Sequence, residues 1–235
     1  MANEHRVFCW TIFVMFLLVN VATCQDALAP EGAGGRRGAL VPAMFIFGDS
    51  LIDNGTELLG LPLMPAHSGA SADQMRFGVN YASAAAGILD NTGRNFQIKN
   101  FENTLDQITD NLGAPDVAQA LAKCMFFVGM GSNDYLNNYL MPNYDTKSRY
   151  NAQQYANLLV QQNNQQLTRL YNLGARKFVI GGVGLMGCIP SILAQSNSNG
   201  CSEEVNQLVL PFSDNVQSML KQFKCQSSWF QIHLH

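Results

Sequence analysis

Three short apolar runs, Ala43 to Phe47, Met125 to Gly129 and Lys177 to Gly181, stand between much longer stretches in which apolar positions recur at helical spacing. Each run has the length of a buried strand and little alternation of polar and apolar residues, the pattern of a strand covered on both faces. Helix-length segments lie at Asn100 to Leu112, Asn151 to Gly174 and Ser202 to Phe223. In the second, Tyr155, Leu158, Leu159, Leu167, Leu170 and Tyr171 recur at helical spacing, and Gly174 is a natural C-terminal stop. The third opens on Ser202 as a cap and holds Pro211, a ring without an N–H that is expected to kink or split it. Strands alternating with helices predict an α/β fold with a parallel sheet covered on both faces.

Near the N-terminus the thirteen-residue apolar run Val7 to Val19 follows His5 and Arg6. A membrane-spanning helix needs roughly 20 residues, so this run is too short to span and fits the apolar region of a secretory signal peptide. A buried core helix would show a polar face, and the run shows none. Small residues from Ala22 to Ala29 put the expected cleavage near Gln25 or Pro30. The reading is therefore a signal peptide over 1–24, a flexible Gly-rich lead-in over 25–41, one α/β domain over 42–223 and a tail over 224–235. A secreted, extracellular protein follows from it.

Composition narrows the function classes. The 235 residues are 47% hydrophobic and 13% charged, which suits one globular domain with a sizeable core. A net charge of -3, with Lys and Arg scattered, leaves no positive field for nucleic acid. Oligomeric state is left open. Export makes disulfides available, and Cys188 and Cys201 bracket a polar loop as candidates for a local bridge, whereas Cys124 opens an apolar stretch and reads as a buried thiol. There is no C-x-x-C pair and the four histidines are dispersed, so no metal site is expected. Gly182, Gly184 and Gly187 spell G-x-G-x-x-G, with Glu203 at a suggestive distance. Cys188, Ile189 and Pro190 follow where a phosphate-binding helix should start, so a dinucleotide site is rejected and no cofactor is expected.

The candidate chemistry gathers where strands end, since ligands of parallel sheets bind beyond the carboxyl ends of the strands. Ser50 lies three residues past the first run, behind Gly48 and Asp49, and reads as a nucleophile. Asp49 adjoins it and reads as a cap or turn residue rather than a catalytic acid. Acyl transfer also needs donors aimed at an oxyanion, which the Gly87 amide and the Asn133 side chain could supply. At these residues the chain resembles the plant-type GDSL esterase/lipase family of the SGNH hydrolase superfamily. "FIFGDSLIDNG", "GVNYASAAAGI", "FFVGMGSNDYLNNYL" and "LYNLGARKFVIGGVGLMGCIPS" match family segments in family order, over about Val41 to Phe223. The resemblance implies a three-layer α/β/α sandwich, Ser50 as nucleophile, and an oxyanion hole of Gly87, Asn133 and the Ser50 amide. It implies lipid or other small ester substrates.

Two departures stand out. The family's last block is Asp-x-x-His, whose histidine deprotonates the serine while the aspartate sets its tautomer. None exists here: His233 follows Phe230 at that spacing, His235 follows Ile232, and His67 also lacks the aspartate. No catalytic histidine or aspartate is therefore found, and the tail after Phe223 does not resemble the family. The Asn54-Gly55-Thr56 sequon runs directly into "TELLGLPLMPA", where family members interpose a longer stretch, and a smaller gap is expected within "TGRNFQIKNFENTL". Intact blocks on either side of clean breaks read as a truncated and internally deleted chain, expected to lack its last strand or two.

Overall fold

The computed structural model describes residues 41–50, 63–75, 77–93, 96–112, 114–195, 200–226 and 230–234. The signal-peptide reading, all of the lead-in but Val41, and the Asn54 sequon lie outside them.

Five strands form one parallel sheet in the order β2-β1-β3-β4-β5. They are β1 (Met44–Gly48), β2 (Gly78–Asn80), β3 (Met125–Gly129), β4 (Lys177–Gly181) and β5 (Phe230–Leu234). Every residue of β1 is buried, as befits a strand with a neighbour on each side and both faces covered. The registers Gly48 with Gly129 and Gly129 with Gly181 make three strands end level, each on a glycine. A Cβ on Gly181 would stand 3.3 Å from the Gly129 Cα, so this row keeps side chains off the carboxyl edge. β5 arises from the tail, in register with β4 through Leu234 and Gly181.

Four longer helices join the strands: α1 (Gln97–Leu112), α2 (Ala114–Lys123), α3 (Ala152–Asn172) and α4 (Glu203–Gln226). Asn151 caps α3 in a capping box, its side chain accepting the Gln154 N–H while Gln154 accepts the Asn151 N–H. Past its end, Gly174 takes the left-handed φ of +118° that a side chain would resist. α4 runs on both sides of Pro211 as one element, so it does not split. The carbonyl deprived of its donor belongs to Gln207, on the exposed side, while Val209, Phe212 and Val216 anchor the buried side.

Side chains alternate between the faces of the sheet. Phe45, Phe47, Phe126, Phe178 and Ile180 share one face and build the main core with Phe101 of α1, Leu159 and Leu167 of α3, and Phe212 of α4. Aromatic rings fill its centre: Phe101 meets Phe45 edge-on at 5.2 Å and Phe126 at 5.6 Å, geometries the ring quadrupoles favour. Met44, Ile46, Met125 and Val179 face the other way and cluster with Val41 and Met64. This is the α/β architecture with a central parallel sheet that the alternation of elements predicts. Cys124 is buried, its thiol donates to the Ala120 carbonyl at 3.1 Å, and burial pushes its pKa up to about 12.

Cys188 and Cys201 are joined in a disulfide across a separation of 13 residues. Closing a loop of this size in the unfolded chain is worth about 3 kcal/mol. Peptide mapping without reductant should recover the two as one linked species, and replacing both by serine should lower the unfolding free energy by about that amount. Free thiols at both positions, or an unchanged urea midpoint, would contradict this.

Candidate active site

Ser50 sits two residues beyond the end of β1, exposed in a turn at the carboxyl edge. The backbone that delivers it is held unusually firmly. β2 ends at Asn80, but the chain beyond it continues along β1, with Tyr81 N–H on Ile46 O at 2.8 Å and Ser83 N–H on Gly48 O at 3.1 Å. Gln97, buried at the start of α1, adds a two-point grip: its amide accepts the Gly48 N–H at 2.8 Å and donates to the Gly48 carbonyl at 2.7 Å. A side-chain amide thus completes the ladder where the edge strand has stopped.

Asp49 is buried at 4% exposure and accepts a hydrogen bond from the Ser132 hydroxyl. The residue before the candidate nucleophile is thereby bonded to the residue before Asn133. Gly131, at φ +129°, turns the chain out of β3 into the short helical turn Ser132–Asp134, which passes into a π-helical turn at Tyr135–Tyr139. Only a glycine fits there, because a Cβ would stand 2.9 Å from Val183 and 3.0 Å from the Phe212 ring.

Asn133 is 8% exposed. Its Oδ1 accepts from Asn137 at 2.7 Å, which orients the amide so that Nδ2 donates to the Ala86 carbonyl at 2.9 Å. An amide nitrogen carries two hydrogens, so the second is available to an oxyanion. Gly87 follows Ala86 directly and is buried. A Cβ on it would come within 2.6 Å of Thr92 Cγ2 and 2.8 Å of Asp134 Oδ1, so no larger residue fits without displacing that carboxylate. Two residues earlier Ala85 has φ 61°, a left-handed conformation uncommon for a residue with a side chain and costly unless its surroundings impose it.

Asp134 is wholly buried, and its oxygens accept the backbone N–H groups of Ile88 at 2.7 Å and Leu89 at 3.0 Å. Burial pushes its pKa up to about 6, against the pull of those hydrogen bonds, which favour the carboxylate. Sequence reasoning passed over Gln97 and the Ser132 hydroxyl, and read Asp134 as a support of its loop rather than a chemical group, without saying what it holds. None of the three carries a spacing signal, because each acts on a partner far along the chain.

Two of the four histidines lie among the described residues. The His67 ring is half-buried and packs on Tyr81, with ring centroids 5.3 Å apart. His233 occupies the β5 position paired with Ile180, and His5 and His235 lie outside the described residues. The G-x-G-x-x-G segment leads into a 3-10 turn at Met186–Cys188 and a four-residue helix at Pro190–Leu193, with Asn206 accepting the Gly187 N–H at 2.8 Å. Among the described residues no group of three or more His, Cys, Asp or Glu side chains could hold a metal ion, and no helix is long and apolar enough to cross a membrane.

Two measurements check this geometry. Gln97→Ala removes the acceptor of the buried Gly48 N–H and should cost about 1–3 kcal/mol in urea unfolding. A cost near zero would show that the grip is dispensable. For Asp134 the folded pKa of about 6 lies above the unfolded carboxylate value of roughly 3.9. The stability it contributes is therefore fully present below the unfolded value and lost as pH rises through about 6. Relative to Asp134→Asn, the native chain should lose roughly 2 kcal/mol of stability between pH 4 and pH 7. A difference that is flat, or that grows with pH, would contradict the assignment.

Comparison with known proteins places this chain in a family. The model of the GDSL-like lipase/acylhydrolase family matches residues 32–234, a span that takes in β5. GDSL esterase/lipase At1g71691 of Arabidopsis thaliana is 53% identical, over 77% of this chain and 59% of its own length. GDSL esterase/lipase At1g29660 of the same plant is 39% identical, over 77% of this chain and 64% of its own. GDSL esterase/lipase 7, also from Arabidopsis thaliana, is 42% identical over 86% of this chain and 70% of its own. The chain thus spans about three fifths of the first two relatives. The alignment with the first runs over 228 positions although only 77% of the 235-residue chain takes part, so that relative carries intervening residues this chain lacks. On the family match and these identities, the chain belongs to the GDSL-like lipase/acylhydrolase family.

Proposed function

We propose that this protein is a secreted serine ester hydrolase that acts on lipid, cutin-like or acetylated esters through an acyl-enzyme. What supports the reading is the fastening of the Gly-Asp-Ser turn to the Asn133 turn through Asp49 and Ser132, beside the Gly87 loop. In the proposed reaction Ser50 Oγ attacks the ester carbonyl carbon and gives up its proton to a general base. The negative charge that develops on the carbonyl oxygen is met by the amides of Ser50 and Gly87 and the side chain of Asn133. Collapse of the tetrahedral intermediate returns the proton to the departing alcohol and leaves an ester on Ser50. Water then releases the acid by the same steps in reverse order.

The base is the open term. The sequence holds no Asp-x-x-His, and this favours a second reading in which the 235-residue chain is a catalytically inactive relative that at most binds acyl ligands. On the proposed mechanism, hydrolysis of p-nitrophenyl acetate by this chain should be near background. A chain restored with a family-like stretch after Asn54 and a C-terminal Asp-x-x-His should gain about 10²–10⁴ in rate, the worth of a general base. Ser50→Ala should abolish that gain. Brisk hydrolysis by the 235-residue chain, lost on Ser50→Ala, would show that a base is already present, and substitution of His67, His233 and His235 in turn would find it. A restored chain indifferent to Ser50→Ala would overturn the esterase reading.

A further inference from the structure

Asp134 follows the candidate oxyanion donor Asn133, is wholly buried, and takes no part in the reaction above. Burying a carboxylate is costly unless its oxygens are met by donors. Here the donors are two successive backbone amides, Ile88 and Leu89, on the loop that carries Gly87.

The peptide planes show what this does. The Gly87 N–H belongs to the same rigid plane as the Ala86 carbonyl, and that carbonyl is held by Asn133. The Ile88 N–H belongs to the next plane, and that N–H is held by Asp134. Both planes that meet at Gly87 are therefore fixed by neighbouring residues of one helical turn. Gln166 of α3 steadies the following carbonyl, donating to Ile88 O at 2.9 Å. The anchor is itself anchored: the buried Tyr155 hydroxyl of α3 donates to the Asp134 carbonyl at 2.9 Å.

Two further observations show that the loop needs holding. Ala85 keeps a positive φ two residues before Gly87, and such strain persists where surrounding contacts over-determine the backbone. The missing Cβ of Gly87 would lie 2.8 Å from Asp134 Oδ1, so the carboxylate is seated directly against the donor residue.

We propose that Asp134 is a positioning residue for the oxyanion site: its carboxylate, acting with Asn133, presets the peptide planes on either side of Gly87 before a substrate arrives. The proposal rests on the esterase reading of the same site. Thr92, Tyr135 and Tyr155 are the polar side chains that face the carboxylate, and burial pushes both phenols up in pKa. Between pH 4 and pH 8 the Asp134 carboxyl is therefore the group among these that changes charge.

Two measurements on the full chain test it. The first is hydrogen exchange at the Ile88 and Leu89 amides. In Asp134→Asn one acceptor oxygen becomes a donor, so these two amides should exchange at least about tenfold faster, while Leu159 and Leu167 of α3 keep their protection. The second is the affinity for phenylboronic acid, which adds to a serine hydroxyl and presents a tetrahedral oxyanion. Asp134→Asn should weaken it about 10- to 100-fold, on the scale of a misplaced donor. The gap between native chain and variant should narrow below pH 6, where the native carboxylate takes up a proton. Unchanged exchange at Ile88 and Leu89, or an unchanged boronate affinity, would overturn the proposal. If Asp134→Asn does not fold, Tyr155→Phe removes only the hydroxyl behind the anchor and should move both readouts in the same direction, with no movement again overturning the proposal. Equal boronate binding by the native chain and Ser50→Ala would instead overturn the esterase reading, and the exchange result would then stand alone as support for, or refutation of, the grip.

Discussion

Hydrogen bonds from a few buried side chains fasten three loops to one another at the carboxyl edge of the sheet. Asp49 accepts from Ser132, which ties the Gly-Asp-Ser turn to the turn after β3. Asn133 and Asp134 reach from that turn to Ala86, Ile88 and Leu89. Ser83 and Gln97 close the circuit by holding Gly48. A loop crossing a protein surface normally has freedom to spare. Here each of the three is tied to another, an arrangement suited to the proposed oxyanion site, which would need its donors held within a fraction of an ångström of a reacting atom.

The circuit can exist because the strands beneath it are level. β1, β3 and β4 end together on Gly48, Gly129 and Gly181, so the turns that follow start from a common line with no side chains in between. The aromatic core below keeps that line rigid, with Phe45, Phe101 and Phe126 in mutual edge and tilted contact. Burial of Asp134 is a costly element, as is the positive φ of Ala85, and the position of Asp134 just after Asn133 explains its cost. A neutral side chain of the same shape would offer one acceptor where two successive amides need two.

How far the sequence could be read follows the range of the interactions involved. β1, β3 and β4 are legible because a strand buried on both faces must be apolar throughout, and that is a local property. α3 is legible through its helical spacing and Gly174, and its Asn151 cap agrees. β2 is three residues long and exists only through its pairing with β1, so nothing local announces it. β5 falls in a tail whose short blocks do not show the family, although the family model extends through it, and its pairing with β4 is likewise set by the partner. The same division holds at the site. Ser50, Gly87 and Asn133 are proposed from short motifs, whereas the ties of Gln97 to Gly48, Asp134 to Ile88 and Ser132 to Asp49 span 49, 46 and 83 residues. Pro211 misleads because propensity describes an isolated helix, and α4 is held by the face it buries.

The central claim is that these fastenings aim the Ser50, Gly87 and Asn133 donors at one point. The most direct test is a crystal structure of the chain with a boronic acid bonded to Ser50 Oγ. One boronate oxygen should lie about 2.7–3.1 Å from the Gly87 amide nitrogen and from Asn133 Nδ2, with the Asp49, Asp134 and Gln97 contacts intact. A boronate oxygen beyond hydrogen-bond reach of either donor, with those contacts unbroken, would show that the three loops are fastened for some purpose other than holding an oxyanion.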